Sequence, residues 1–283
     1  MNAILLLQAR TNSSRLPAKV FLPIGGLPLV VLSARRAANT GHHVVVITSS
    51  EPSDDALCEV LKKWNINFFR GDLDNVLKRF VEALKDVNDE QVVVRLTGDN
   101  VVPDGVLIDQ MLNEFAVRGL NYLCCSGEES GLPYGVSAEI TRAGHIRNAL
   151  SEAENFFDCE HVTPKIIERF GKAYFDIYQK IAMNEYRCTV DTLGDYLLLC
   201  QLFAGIEKPE LATLSQLLTR LRKLSPMVVL SKPASRMVLG TAQLGMEYGI
   251  TNVKGRPEQY EIDSIIEMNF ERSSSLLNVA TDL

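Results

Sequence analysis

Apolar residues gather in short runs through the first half of the chain, at 3–7, 43–48, 67–69, 91–95 and 121–125. Each has strand length, and each is expected to be buried. Between them lie helical patterns, over 29–38, 53–63, 74–85 and 105–118. This alternation predicts an α/β fold, a parallel sheet with helices on both faces. Ligands of such sheets bind beyond the carboxyl ends of the strands. The segments after the first and fourth strands are therefore expected on one rim.

From 133 onward the rhythm loosens. Strands are expected at 136–140, 174–179 and 187–190, with helices at 143–154, 160–170, 193–204 and 211–224. Pro226, Lys232, Pro233 and Ser235 mark a linker. Beyond it, 237–245 reads as a new first strand and turn, 263–268 as a helix and 277–282 as the start of another strand. That is too little chain for an independent α/β domain.

The first strand runs into Gln8-Ala9-Arg10-Thr11-Asn12-Ser13-Ser14-Arg15-Leu16-Pro17-Ala18-Lys19, a loop with three cations in ten residues. Small side chains let backbone N–H groups approach phosphate oxygens, while Arg10, Arg15 and Lys19 supply charge. No Gly-Lys-Ser/Thr follows, so this is not a Walker loop. A solvated basic loop has the same spelling. The net charge of −6 argues against nucleic acid as a partner and for a small anion held in a local basic pocket. Six cysteines make no Cys-x-x-Cys pair and are expected as buried free thiols in a reducing cytoplasm. No secretory leader or membrane-spanning stretch is evident, so no membrane association is expected.

Two carboxylates stand at predicted strand ends. Asp99 follows Arg95-Leu96-Thr97-Gly98, and Asp191 follows Cys188-Thr189-Val190. Each has an ordinary alternative: Asp after Gly is a common turn, and Asp191 or Thr192 would serve as a helix cap. Together with the basic loop they suit a nucleoside triphosphate with magnesium, which takes one or two carboxylates plus phosphate oxygens.

Five motifs recur in order: the opening loop, Phe69-Arg70-Gly71, Val94 to Asp99, Glu160-His161-Val162-Thr163-Pro164, and Thr189-Val190-Asp191-Thr192. Over about residues 1–225 the chain resembles the spore-coat-polysaccharide SpsF family of cytidylyltransferases. These are relatives of the synthetases of CMP-sialic acid and CMP-3-deoxy-manno-octulosonate. The resemblance implies a Rossmann-like nucleotide-diphospho-sugar transferase fold. It implies CTP as donor, Mg2+ as cofactor, a sugar acid or related sugar as acceptor, and a homodimer. By that analogy Asp99 and Asp191 hold the metal, and Arg10 and Lys19 join them as catalytic residues. Gln8, Ala9, Arg10, Ser14, Arg15, Lys19, Arg70, Gly71, Asp74, Arg95, Gly98 and Asp99 bind the nucleotide. Tyr134, Glu139, Glu160 and His161 face the acceptor. Ser137 departs from the family, which has Asp between Gly135 and Glu139. Asn100 and Val101 replace its Cys-Pro after Asp99, and Leu193 and Gly194 replace its Pro-Glu after Thr192. Two rivals remain: a glycosyltransferase of related fold, for which Asp72-Leu73-Asp74 is the only Asp-x-Asp spelling, and a non-catalytic nucleotide-binding relic.

Residues 237–245 resemble the opening strand of aldo-keto reductases. A truncated or degenerate start of that fold is expected over 237–283, after a linker at 226–236.

Overall fold

The computed structural model describes residues 3–13 and 15–224, and beyond them two paired two-residue strands, Leu239–Gly240 and Leu277–Asn278. The chain divides into two compact units, Met1–Pro226 and Met227–Leu283. The 226–236 linker, the predicted helix at 263–268 and the remainder of the reductase-like segment lie outside the described residues, as does Ser14.

In the first unit a six-stranded sheet is built from β1 (Ala3–Gln8), β4 (His43–Ser49), β5 (Asn67–Gly71), β6 (Val92–Thr97), β7 (Leu123–Cys124) and β8 (Glu139–Arg142). A small hairpin, β2 (Pro23–Ile24) and β3 (Leu27–Pro28), stands apart. The sheet order is β5-β4-β1-β6-β8-β7, so β1 is central. β5, β4, β1 and β6 pair in parallel, while β8 runs antiparallel to both its neighbours. The expected α/β class holds, with a mixed edge.

Both faces of the sheet are covered because the central strands are apolar on both sides. Leu5 and Leu7 of β1 join one core with Val94 and Leu96 of β6, while Leu6 and Val93 point into the other. The first core packs α1 (Leu29–Ala37), α2 (Asp55–Lys63), α4 (Gly105–Val117), α8 (Leu193–Phe203) and α9 (Leu214–Lys223). The second packs α3 (Val76–Ala83), α5 (Ala143–Glu152) and α7 (Pro164–Phe170).

The second half corrects several expectations. The helix predicted at 160–170 is two helices, α6 (Phe156–His161) and α7. Val162 takes a left-handed φ of 69° between them, and Pro164 opens α7, where its missing N–H costs nothing. The strands predicted at 174–179 and 187–190 are not strands. They make single bridges, Cys124 with Tyr174, Tyr134 with Arg187 and Asn100 with Thr189. Their apolar residues Phe175, Cys188 and Val190 are fully buried, so the pattern there recorded burial rather than a ladder. The strand predicted at 136–140 starts later, at Glu139, and that at 121–125 shrinks to two residues.

Candidate functional site

β1 and β6 end together, with Gln8 opposite Thr97. The Gly98 N–H then donates to the Gln8 carbonyl at 2.8 Å. A Cβ on Gly98 would lie 2.9 Å from the Ala9 Cβ and 3.1 Å from the Gln8 carbonyl oxygen, so only glycine lets the two loops leave the sheet this close. The basic loop and Asp99 thus share one rim, as expected.

The loop is anchored from below. Thr11 donates its N–H and hydroxyl to Asp54 Oδ1 at 2.8 and 2.7 Å, while Thr48 and Ser49 donate to Asp54 Oδ2. Burial pushes the Asp54 carboxyl up, but donors from Ser49, Thr11 and Thr48 outweigh it and hold it below the usual carboxylate range. The loop closes where the Ala18 N–H reaches the Thr11 carbonyl at 3.0 Å, and Lys19 opens a short 3-10 turn.

Residues 187–191 come to the same rim without forming a strand. Thr189 bridges Asn100, and the Val190 N–H donates to the Asp99 carbonyl at 3.0 Å. Gly135, at φ +97°, makes room: a Cβ there would lie 2.4 Å from the Thr189 nitrogen. Asp191 is not the helix cap. Thr192 caps α8 in a capping box with Asp195, which leaves the Asp191 side chain for the cleft.

Lys19 ties these pieces together. Its buried ammonium donates to Asp99 Oδ2 at 3.0 Å, Asp191 Oδ1 at 3.0 Å and the Val190 carbonyl at 2.7 Å. Arg15 pairs with Asp191 Oδ1 at 2.9 Å, and Arg187 with Asp191 Oδ2 at 2.6 Å and Asp195 Oδ1 at 2.8 Å. The Arg187 guanidinium also lies over the Tyr134 ring, 4.9 Å from its centre. Asp99 and Asp191 offer hard oxygen donors to one shared cation, a set that suits magnesium when phosphate oxygens complete it. Among the described residues no cluster of three or more carboxylate, imidazole or thiolate ligands exists.

The cleft over this rim has a volume of about 470 Å³, within the usual range for small-ligand sites. Gln8, Ala9, Arg10, Arg15 and Lys19 line it from the loop, and Arg95, Gly98 and Asp99 from β6 and its end. Tyr134, Glu160, His161 and Asp191 are also in its lining. Arg10 approaches Glu160 at 3.8 Å, and the exposed His161 ring packs on Phe157 with centroids 4.3 Å apart.

Four expected residues are placed elsewhere. Arg70 pairs with Asp55 at 2.7 Å and donates to the carbonyls of Ser49 and Glu51, so it braces the loop after β4. Gly71 packs against Phe69, Arg79 and Glu82. Asp74 sits in the turn before α3, beside Asp72, which takes its N–H, and Asn75, which caps the helix. Glu139 lies behind the cleft wall. It pairs with Arg95 and accepts from the Tyr122 and Thr163 hydroxyls. Burial pushes the Glu139 carboxyl up, but Arg95 and these donors more than offset it and hold it low.

Arg79 is the main residue that the sequence did not assign to the cleft. It is buried, lines the cleft from α3, and donates to the Asp72 and Leu73 carbonyls. Burial, and then the neighbouring Arg10, push its guanidinium down from the ordinary value. A signal was present: Arg79 falls on the same helix face as Val76 and Phe80, both buried. Asn100 and Thr189 also line the cleft, next to assigned residues.

A mostly parallel sheet whose carboxyl rim sets a cationic loop against two carboxylates suits a nucleotidyltransferase. The chain belongs to the cytidylyltransferase family, whose model matches residues 4–221. It is 30% identical over 237 residues to the spore coat polysaccharide biosynthesis protein SpsF of Bacillus subtilis, covering 79% of this chain and 95% of that protein. It is 33% identical over 126 residues to the 3-deoxy-manno-octulosonate cytidylyltransferase of Vesicomyosocius okutanii, covering 42% of this chain and 49% of that one. A cytidylyltransferase structure from Leptospira borgpetersenii matches with a TM-score of 0.71 at 26% identity, covering 79% of this chain and 95% of that one. The SpsF resemblance drawn from the five motifs holds.

Proposed function

We propose that this cytidylyltransferase moves CMP from CTP to a sugar acid or related sugar, with magnesium, and releases pyrophosphate. The observation that carries the reading is the convergence of Lys19, Arg15, Asp99 and Asp191, distant in sequence, at one cleft. The acceptor hydroxyl oxygen forms a bond to the α-phosphorus, and the bond to the bridging oxygen breaks, sending its electron pair to pyrophosphate. The hydroxyl proton goes to water or to the acceptor's own carboxylate. Arg10, Arg15 and Lys19 hold the triphosphate and offset the charge that grows on the leaving group. Arg79, held near Arg10, adds to that field. Asp99 and Asp191 would hold magnesium, which supplies further neutralisation of phosphate charge when bound. Tyr134, Glu160 and His161, which line the cleft, would face the acceptor. Names of relatives support surface polysaccharide synthesis as the setting, and flagellar glycan is the other product we consider. Use of CTP fits the cytoplasm, and a homodimer is the assembly we expect. No helix among the described residues is long and apolar enough to cross a membrane.

The test is pyrophosphate release from CTP, UTP, ATP and GTP, each with a panel of sugar acids and neutral sugars. CTP- and acceptor-dependent release, abolished by chelation of divalent ions, is expected. CTP binding without release from any acceptor would leave the relic reading standing. Nucleoside diphosphate released from a nucleotide sugar would mark a glycosyltransferase instead.

A further inference from the structure

We propose that Glu139 is a positioning residue for Arg95, and that Arg95, not Glu139, meets the substrate on the cleft floor; this rests on the CMP-transfer reading. The two residues face each other directly in the β6–β8 ladder, so the backbone itself sets their approach. The Arg95 guanidinium is pinned at two points: Nη1 on the Glu139 carboxylate and Nε on Gln8 Oε1 at 3.1 Å. Arg95 and Gln8 line the cleft, whereas Glu139 does not. A guanidinium has five N–H donors in a fixed plane. Two anchors therefore fix that plane and leave further donors on a side chain that lines the cleft.

Glu139 is itself fixed. The Tyr122 hydroxyl and the Thr163 hydroxyl, the latter at 2.9 Å, both donate to Oε1, while Arg95 takes Oε2. Thr163 is placed there by the left-handed Val162 that separates α6 from α7. The same break ends α6 at Glu160 and His161, which line the cleft. One carboxylate thus joins the end of β6, β8 and the α6–α7 turn behind the cleft wall. Because Glu139 offsets the charge of Arg95, Arg95 serves as an oriented donor to a substrate oxygen. Net positive charge for the phosphates comes from the opening loop.

Steady-state kinetics of pyrophosphate release distinguishes this role. Glu139→Gln keeps one oxygen to accept from Tyr122 and Thr163 but sets an amide NH2, a donor, against Arg95 Nη1, and so loosens Arg95. It is expected to lower kcat about ten- to a hundredfold with both KM values within about threefold. Arg95→Gln should give the same pattern, and the double variant should be no worse than the poorer single one, because the two act as one unit. Tyr122→Phe, outside the cleft lining, should lower kcat in the same direction by less, and serves if Glu139→Gln does not fold. Additive losses, or a rise in acceptor KM alone in Glu139→Gln, would overturn the proposal. Full activity of Glu139→Gln would overturn it too. Absence of any turnover by the unaltered protein would count against the CMP-transfer reading instead, and is separately visible.

Discussion

Lys19 occupies the position between two carboxylates that a divalent ion would need. Its ammonium satisfies both Asp99 and Asp191, with Arg15 and Arg187 adding to the charge on Asp191. A bare magnesium ion must therefore displace a buried cation, whereas a triphosphate arriving with it gives Lys19 and Arg15 new anionic partners. Metal and nucleotide are expected to bind together far better than either alone. Lys19→Ala should weaken CTP binding about tenfold or more. The same variant should strengthen nucleotide-free binding of Mn2+, read by its paramagnetic resonance signal. Unchanged Mn2+ binding would mean that the two aspartates are not a metal site. Four charged members of this knot were legible in sequence, Arg15 and Lys19 as cations of the loop after the first strand and Asp99 and Asp191 as carboxylates at predicted strand ends, whereas Arg187 was not. The knot itself was not. Nothing in the order of residues says that one lysine spans to positions 80 and 172 residues away.

Elements carry the site through close backbone approaches. Gly135 is the clearest case: its positive φ and the 2.4 Å from a built Cβ to the Thr189 nitrogen leave no room for a side chain. Gly135→Ala is expected to displace 187–191 and with it Asp191. The cost should be about 2 kcal/mol or more, read as a melting point lower by several degrees. Turnover should fall further than at a strained glycine outside the cleft lining, such as Gly131, whose Cβ would meet Gln179 at 2.6 Å. Equal turnover in Gly135→Ala and the parent would show that the 187–191 segment does not place Asp191. At this scale the sequence was a good guide to the first half, where strand and helix periods alternate. It failed at 174–179 and 187–190, because single bridges and loops bury Phe175, Cys188 and Val190 as fully as strands would. Arg70 and Asp74 lie outside the cleft lining. Their polar partners Asp55 and Asp72 were not visible as such in the order of residues.

Across the molecule, buried carboxylates make stability depend on pH. Asp54, Glu139 and Asp195 all have carboxyls held below their ordinary values. In each, burial pushes up and is overcome: by Ser49 and Thr11 at Asp54, by Arg95 at Glu139, and by Arg187 at Asp195. A carboxyl lower in the native than in the unfolded chain binds fewer protons when folded, so its stabilisation is complete above the unfolded value. It is lost as pH falls through the native one. The melting point is expected to change little between about pH 7 and pH 5, and to fall below about pH 4. Asp54→Ala should melt lower than the parent at neutral pH and show a shallower acid slope. A parallel slope would remove Asp54 from this account.

The largest structural unit also sets what can be removed. The described core residues gather into two apolar clusters, the larger of which ends at Leu221, with Leu224 packed on its edge. The last of them, on α9, is tied back to the sheet domain by Asp104, which caps α4 and accepts the Leu214 N–H at 3.0 Å. Arg36, wholly buried and 3.7 Å from Asp104 Oδ2, donates to the carbonyls of Val102, Pro209 and Ala212 and so fastens the approach to α9 beside it. The described core thus closes within residues 3–224, and folding without the residues beyond Pro226 is the expectation. Domains that own their core fold alone. A chain ending at Pro226 is therefore expected to melt within a few degrees of the full chain and to keep CTP-dependent stabilisation, since a ligand selective for the native state raises the melting point wherever its site is intact. Loss of soluble protein would show that Met227–Leu283 completes the fold. Retained melting with lost CTP response would place part of the nucleotide site beyond Pro226.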